Sequence, residues 1–440
     1  MKQKEMLFWI WLSEKLGAAN RDFSKLIKLY DNPYELFHAE DAELERIEGI
    51  TPRTVSVLSD KSLEHATAIL DECERLGIGI LPYHDALYPR ALRELCQPPS
   101  VLYYLGDPTM LNTSLCIGMV GTRRMSEYGL RRAYKLSYEL ASVGAVVVSG
   151  MASGIDGVSA AAAIAAGGKT AAVLGCGLDV VYPKHHKGLM HEIGKKGLLL
   201  SEYPPGTRPN HYHFPIRNRI ISGLAQGTVV VEAGMGSGSL ITAKDAILQG
   251  KDVFTVPANV GTPGAEGTNG LLRDGAHPVL QTGDILTHYR YLYADMLDMK
   301  KLSDAEQKSM ADLRYLARLG VIELTERTEP RPTEQPAAGS KPRRATRNKP
   351  SSRETAEDTR ENAPSAPATE NRHEQTPDEI LRSLSPIQLA ILQAIPDDRA
   401  VTADALSGMG YPYGDLIAAL TMLEILGLIQ KLPGALYTKS

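Results

Sequence analysis

The sequence predicts an α/β protein: a Rossmann-like, doubly wound and mostly parallel sheet, with a helical N-terminal domain before it and a winged-helix domain after it. Three observations lead there. Between residues 81 and 290 short β-branched runs alternate with stretches of helical amphipathic spacing, the texture of strands joined by crossover helices. Glycine-bracketed turns follow several of those runs, where a doubly wound sheet presents its ligand loops. The flanks differ from this pattern: Leu- and Glu-rich helical spacing precedes residue 80, and a helix followed by strand, turn and strand ends the chain.

A chain of 440 residues exceeds what one hydrophobic core usually spans, so two to four domains are expected. The texture divides it into a helical domain over 1–80, the sheet domain over 81–300, a helical extension over 301–326, a disordered linker over 327–378 and a winged helix over 379–440. In the first, Gly49 turns the chain ahead of Thr51 and Pro52, the layout of a helix-hairpin-helix (SAM-like) element. Such a hairpin either holds a DNA phosphate or serves packing alone. The apolar stretch over 7–12 is too short for a signal peptide or a membrane span, so a cytoplasmic protein without membrane contact is expected.

In the sheet domain, strands are predicted over 115–120, 145–149, 170–174, 198–201, 228–232 and 252–256, with helices over 127–142 and 239–249 among the connections. The linker is rich in Pro, Ala, Ser, Thr, Glu and Arg and lacks apolar periodicity; its basic run over 341–347 reads as solvated charge. In the winged helix, no Lys or Arg occurs between Arg399 and Lys431, so its long helix over 413–427 suits protein contact better than phosphate contact.

The net charge of −4 gives no global attraction to nucleic acid, so any such site must be a local patch. The first strand runs into Gly121-Thr122-Arg123-Arg124, then Ser126 and a helix, a turn whose amides, hydroxyls and guanidinium groups favour an anion. The dinucleotide fingerprint GxGxxG is missing, and arginines stand where close-approach glycines would be. The second and third turns, Ser149-Gly150-Met151-Ala152-Ser153-Gly154-Ile155-Asp156 and Leu174-Gly175-Cys176-Gly177-Leu178-Asp179, bring backbone close either to a ligand or to packed helices. Next come Tyr182, Lys184, His185, His186 and Lys187 on one loop, the two histidines read as polar surface groups.

The block over 203–224 interleaves rings and cations: His211, Tyr212, His213 and Phe214 stand beside Arg208, Arg217 and Arg219. Base stacking on such rings contributes about 1–3 kcal/mol per base and tolerates any sequence, but it needs unpaired bases. The alternative for Arg217 and Arg219 is an inward salt bridge to Glu202 or Glu232. A last turn, Gly234-Met235-Gly236-Ser237-Gly238-Ser239, again aims helix-start amides at an anion.

Several chemistries are excluded. The cysteines Cys73, Cys96, Cys116 and Cys176 are scattered without chelating spacing and read as reduced, buried thiols, so no metal is expected, and no cofactor. Gly168-Lys169-Thr170 imitates the end of a Walker A motif but leads into a strand, and Ala163 stands at the required first glycine. The Gly234 loop resembles the PGGxGTxxE motif of phosphoribohydrolases, yet no carboxylate follows it until Asp245.

Taken together, Gly121-Thr122-Arg123, Ser149 to Asp156, Leu178-Asp179-Val180-Val181-Tyr182-Pro183, the run from Phe214 to Leu224 and the run from Ser237 to Ala243 resemble the DNA-processing protein A (DprA/Smf) family, in order across the sheet domain. The resemblance implies a non-enzymatic homodimer that binds incoming single-stranded DNA during natural transformation, protects it and loads the RecA recombinase onto it. By position Arg123 and Lys184 match the family's basic DNA-contacting residues, and Phe214 to Arg219 matches its groove-lining signature. The expected DNA-binding set is Gly121, Thr122, Arg123, Arg124, Ser153, Gly154, Lys184, His213, Phe214, Arg217, Asn218, Arg219, Ser237, Gly238 and Ser239. The alternatives are a phosphoribohydrolase-like nucleotide hydrolase on a related Rossmann fold, and a small-nucleotide sensor acting through the winged helix.

Overall fold

The computed structural model describes residues 3–323 and, farther on, 384–396, 401–402, 405–406, 411, 416, 419–420, 422–424, 428–432 and 436–439. The chain divides into two compact units, 1–335 and 336–440.

The first unit opens with six helices: α1 (Gln3–Leu16), α2 (Phe23–Tyr30), α3 (Pro33–His38), α4 (Asp41–Glu45), α5 (Pro52–Leu58) and α6 (Glu64–Leu76). Trp9, Ile10, Trp11 and Leu12 are all buried, so the apolar stretch near the start is helical core. Gly49 takes a left-handed conformation (φ +75°), which a β-carbon would disfavour, and swings the chain into the Thr51 cap of α5. The Asp22 carboxylate accepts from the Thr51 N–H at 3.2 Å, the Thr51 hydroxyl at 3.1 Å and the Thr54 hydroxyl at 2.5 Å. An internal carboxylate therefore takes donors at the head of α5 that a phosphate would need, which favours packing as the hairpin's role.

The sheet has nine strands in the order β1-β2-β6-β5-β4-β3-β7-β8-β9. They are β1 (Gly79–Pro82), β2 (Val101–Gly106), β3 (Cys116–Val120), β4 (Val146–Ser149), β5 (Lys169–Leu174), β6 (Leu198–Ser201), β7 (Gly227–Val230), β8 (Asp252–Thr255) and β9 (His277–Pro278). The six predicted runs match β3 to β8 within one or two residues. From β6 to β9 all pairs are parallel, whereas β1 and β2 form an antiparallel extension.

Helices α7 (Arg90–Arg93) and α8 (Met110–Thr113) lie in the connections around β2. The crossovers are α9 (Glu127–Ser142), α10 (Ile155–Ala165), α11 (Lys187–Lys196), α12 (His213–Leu224) and α13 (Ser239–Leu248). Both faces of the sheet are covered, so its central strands are buried on both sides and read as continuous apolar runs. Val146 and Val148 pack on one face with Ile220 and Leu224 of α12, and Val147 packs on the other with Leu136 of α9 and Val158 of α10. The alanine-rich α10 is buried almost all round.

Helix α14 (Glu266–Arg273) connects β8 to β9, and beyond the sheet follow α15 (Thr282–Tyr289), α16 (Leu302–Lys308) and α17 (Leu313–Arg318). The fully buried Glu139 of α9 ties this extension down: it accepts from the Thr282 hydroxyl at 2.6 Å and the Ser309 hydroxyl at 2.7 Å, and pairs with Lys135. Three of the four cysteines are buried as expected, but Cys96 is exposed.

In the second unit, Ser385 and Gln388 form a capping box on a helix over Pro386–Ala394. A small antiparallel sheet combines β10 (Val401–Thr402), β11 (Ile429–Leu432) and β12 (Leu436–Lys439) in the order β10-β12-β11. The linker expected over 327–378 lies outside the described residues, as do most of the turn over 408–414 and much of the helix over 413–427. Among the described residues no helix is long and apolar enough to cross a membrane.

Candidate nucleic-acid interface

Beyond the carboxyl ends of β3, β4 and β7, loops and helix heads surround a cleft of about 730 Å³. Gly121, Thr122, Arg123 and Arg124 line it from the turn after β3; Phe214, Arg217 and Asn218 line it from α12; Ser237, Gly238 and Ser239 line it from the head of α13. Ten of the fifteen expected residues thus converge. Ser153, Gly154, Lys184, His213 and Arg219 are not on its lining.

The ring-and-cation block does not form an extended loop: from His213 onward it is helix α12. Pro215 fits there as the third helical residue, because the first four amides of a helix have no intrahelical acceptor to lose. Helical spacing then turns Phe214, Arg217, Asn218 and Ile221 toward the cleft. Phe214 stacks on Tyr182 with centroids 5.2 Å apart and planes 28° from parallel. The Arg123 guanidinium lies 5.6 Å from the centre of the Phe214 ring, and that of Arg217 5.9 Å. His213 points elsewhere, stacking on Tyr203 at 4.1 Å with Nδ1 3.1 Å from the Gly175 carbonyl oxygen.

The two later arginines both turn inward onto protein groups, the alternative to phosphate contact, although Arg217 meets carbonyls and not Glu202 or Glu232. Arg217 is 4% exposed and donates to the carbonyl oxygens of Gly150, at 2.8 Å, and Val173. The same turn binds the buried Asp156, which accepts from the Gly150 N–H at 3.1 Å. Burial raises the carboxyl pKa of Asp156, against the pull of Arg217. A β-carbon on Gly150 would come within 2.5 Å of the Arg217 guanidinium, so the glycine makes room for it. Arg219 pairs with Glu202 at 2.6 Å, one of the two inward partners considered for it. Arg123, Arg124, Lys184 and Arg208 remain exposed.

The turn after β3 also departs from expectation. The Ser126 hydroxyl and N–H do not await a ligand, because both donate to Glu232, at 2.9 Å and 3.0 Å. The heads of α12 and α13 carry no carboxylate cap and both border the cleft, though their first amides are occupied: His213 N–H donates to the Asn210 carbonyl at 3.0 Å, Ser239 N–H to the Ser237 hydroxyl at 3.4 Å, and Leu240 and Ile241 N–H to the Ser237 and Gly238 carbonyls at 3.0 and 3.2 Å. At α13 the hydroxyls of Ser237 and Ser239 lie 2.7 Å apart, and the Asn218 amide donates to the Gly238 carbonyl at 3.4 Å. Gly154, at φ +82°, packs directly against the backbone of Thr122 and Arg123, so it serves the loop that carries Arg123. Ser153 contacts His185, Oγ to Nε2, at 3.2 Å.

His186 corrects a further expectation. Only His185 is at the surface; His186 is fully buried, with Nδ1 3.0 Å from the Met151 carbonyl oxygen. Burial pushes its pKa down from 6.5 to about 4. The folded state therefore prefers the neutral ring. Its contribution to stability is complete above about pH 6.5 and is lost as the pH falls toward about 4. Denaturant unfolding between these limits should show the wild-type protein losing stability more steeply than His186→Gln; parallel curves would remove His186 as the cause.

Asp245, pushed up to about 6 by burial, lies on α13 outside the cleft lining. The carboxylate on that lining is Asp156, engaged by the Gly150 N–H. Tyr182 and Asp156 both line the cleft without being in the expected set; the first could have been sought as a ring beside a lysine, the second has no signal of its own.

Comparison with known proteins places this architecture. A model of the family described as DNA recombination-mediator protein A matches residues 79–290. The DNA processing protein DprA of Bacillus subtilis (strain 168) is 44% identical over 209 residues, 48% of this chain and 70% of that protein. Protein Smf of Synechocystis is 30% identical over 443 aligned positions, the full length of both chains. Among solved structures, the X-ray structure of DNA processing protein A from Streptococcus pneumoniae matches with a TM-score of 0.57 and 34% identity, covering 64% of this chain and 97% of that one.

Proposed function

The chain belongs to the DNA processing protein A (DprA/Smf) family, and from that premise we propose that its cleft binds single-stranded DNA with little sequence preference. The observation that carries the proposal is the Arg123 guanidinium over Phe214, whose ring stacks on Tyr182, set beside the heads of α12 and α13. Flat rings offer a face to any unpaired base, while guanidinium groups and the positive ends of the helix dipoles attract the phosphates between bases. A duplex keeps its base faces stacked on one another and cannot use the rings.

The reading extends to the rest of the family's expected role. In it, two copies pair and join their clefts into a longer track, and the bound strand is protected in the cytoplasm during natural transformation and passed to RecA. The reading is a binding one, because the cleft's carboxylate is engaged by Gly150 and Asp245 stands off the lining. Residues 379–440 act as a winged-helix module, a role supported by the Ser385-capped helix and the β10-β12-β11 sheet.

The test is a competition of single-stranded against duplex DNA at physiological salt. Single strands should win, with an affinity that falls with salt at a log–log slope of roughly −0.7 for each phosphate contacted. Equal affinity for duplex would refute the stacking mode. Transfer to RecA is followed by its single-strand-dependent ATPase.

A further inference from the structure

The order of strands puts β3 beside β7, where the sheet stops growing in one direction and begins to grow in the other. In doubly wound sheets that crevice receives the ligand, and the phosphates of a nucleotide rest on the head of the helix that follows the first strand. Here that helix is α9. Its head is already served by an anion. Both carboxylate oxygens of Glu232, just past β7, accept from the Ser126 N–H, at 3.2 and 3.0 Å, and one also accepts from the Ser126 hydroxyl at 2.9 Å. The Glu232 carbonyl accepts from the Thr122 N–H at 2.8 Å.

The carboxylate is built in. Glu232 is 8% exposed, and a β-carbon on Gly129, in the first turn of α9, would overlap its oxygen. Beside it lies a second cavity of about 360 Å³, lined by Ser126, Tyr128, Glu232, Pro257 and Asn259 among others, and sharing Gly264 with the cleft. The fold thus keeps both the crevice and the space a small nucleotide would use, but fills the phosphate seat from within.

We propose that Glu232 is a specificity determinant: an internal stand-in for phosphate that excludes free nucleotides and inorganic phosphate from the head of α9. A second anion would meet the carboxylate charge and find the donors of Ser126 and Thr122 taken. Phosphate recognition is left to the α12 and α13 side, where no carboxylate caps the helix heads. The inference concerns free nucleotides and stands whether or not the cleft takes single-stranded DNA.

The experiment uses the full chain with AMP and inorganic phosphate as probes, followed by titration calorimetry and by the amide shifts of Ser126 and Gly129. The wild-type protein should show no saturable binding of either probe at those amides. Glu232→Ala should gain it, about ten-fold or more over wild type, and its melting temperature should rise with added phosphate. Glu232→Gln keeps the volume of the side chain and removes its charge, so it provides a folded variant and should show a smaller gain. Wild-type binding at Ser126 and Gly129 would overturn the proposal whatever the variants do. So would a folded Gln variant, or a folded Ala variant, that gains nothing.

Discussion

Replacing Arg123 by glutamate is expected to weaken single-strand binding on the order of 100-fold or more while leaving the unfolding midpoint unchanged. Arg123 is exposed and its guanidinium lies over the Phe214 ring, so the fold does not depend on its charge. It nevertheless stands where the cleft has most to gain from a cation. With Arg217 and Arg219 committed to carbonyls and to Glu202, Arg123 is the cation placed to hold a phosphate while keeping contact with the ring on which a base would lie. Reversal removes a charge-assisted contact and sets a carboxylate against both the phosphate and the negative face of Phe214. The salt slope should also become shallower by about 0.7, one phosphate contact. Fluorescence anisotropy with a labelled oligonucleotide checks both numbers. Binding within a few-fold of wild type would move the site away from this turn.

How much of this was legible depends on what each residue faces. Val146 to Val148 lie in a central strand of a parallel sheet whose two faces are covered by helices, and that gives an unmistakable apolar run. Glu127–Ser142 has a periodic face and a Ser126 cap, and its bounds match expectation. By contrast β1, β2 and β9 were missed: two form an antiparallel edge that no crossover helix announces, and the third has two residues. Helix α12 was hidden because its cleft side carries Phe214, Arg217 and Asn218, not a uniformly polar face, so its apolar period is blurred.

That blurring had a consequence for the site. Arg217 and Arg219 are two residues apart, and on a helix such a pair diverges, one toward the ends of β4 and β5 and the other toward Glu202. As parts of a loop they read as a joint phosphate track. Glu232 was recognisable only as a possible partner for those arginines, since nothing in the sequence says that the crevice between β3 and β7 brings it to Ser126. Adjacent histidines likewise give no sign that a 3-10 turn over Lys184–His186 sends one into the core and leaves the other outside.

The structural role of Arg217 makes the largest demand on stability. Arg217→Met should destabilise the first unit by on the order of 3–5 kcal/mol, because it strips a charged donor from the buried carbonyls of Gly150 and Val173 and removes the positive charge that offsets part of the cost of burying Asp156. Methionine fills much of the space, so the loss reports polar groups left unpaired and not a cavity. The double variant Asp156→Asn with Arg217→Met should recover part of the loss, since a neutral amide costs less to bury alone than a carboxylate. Urea unfolding gives both values, with an unchanged denaturant slope showing that compactness is preserved. A loss below about 1 kcal/mol would mean that the guanidinium is not what holds the ends of β4 and β5 together. It would then be free to swing toward the cleft, and the division between a structural Arg217 and a DNA-facing Arg123 would fail with it.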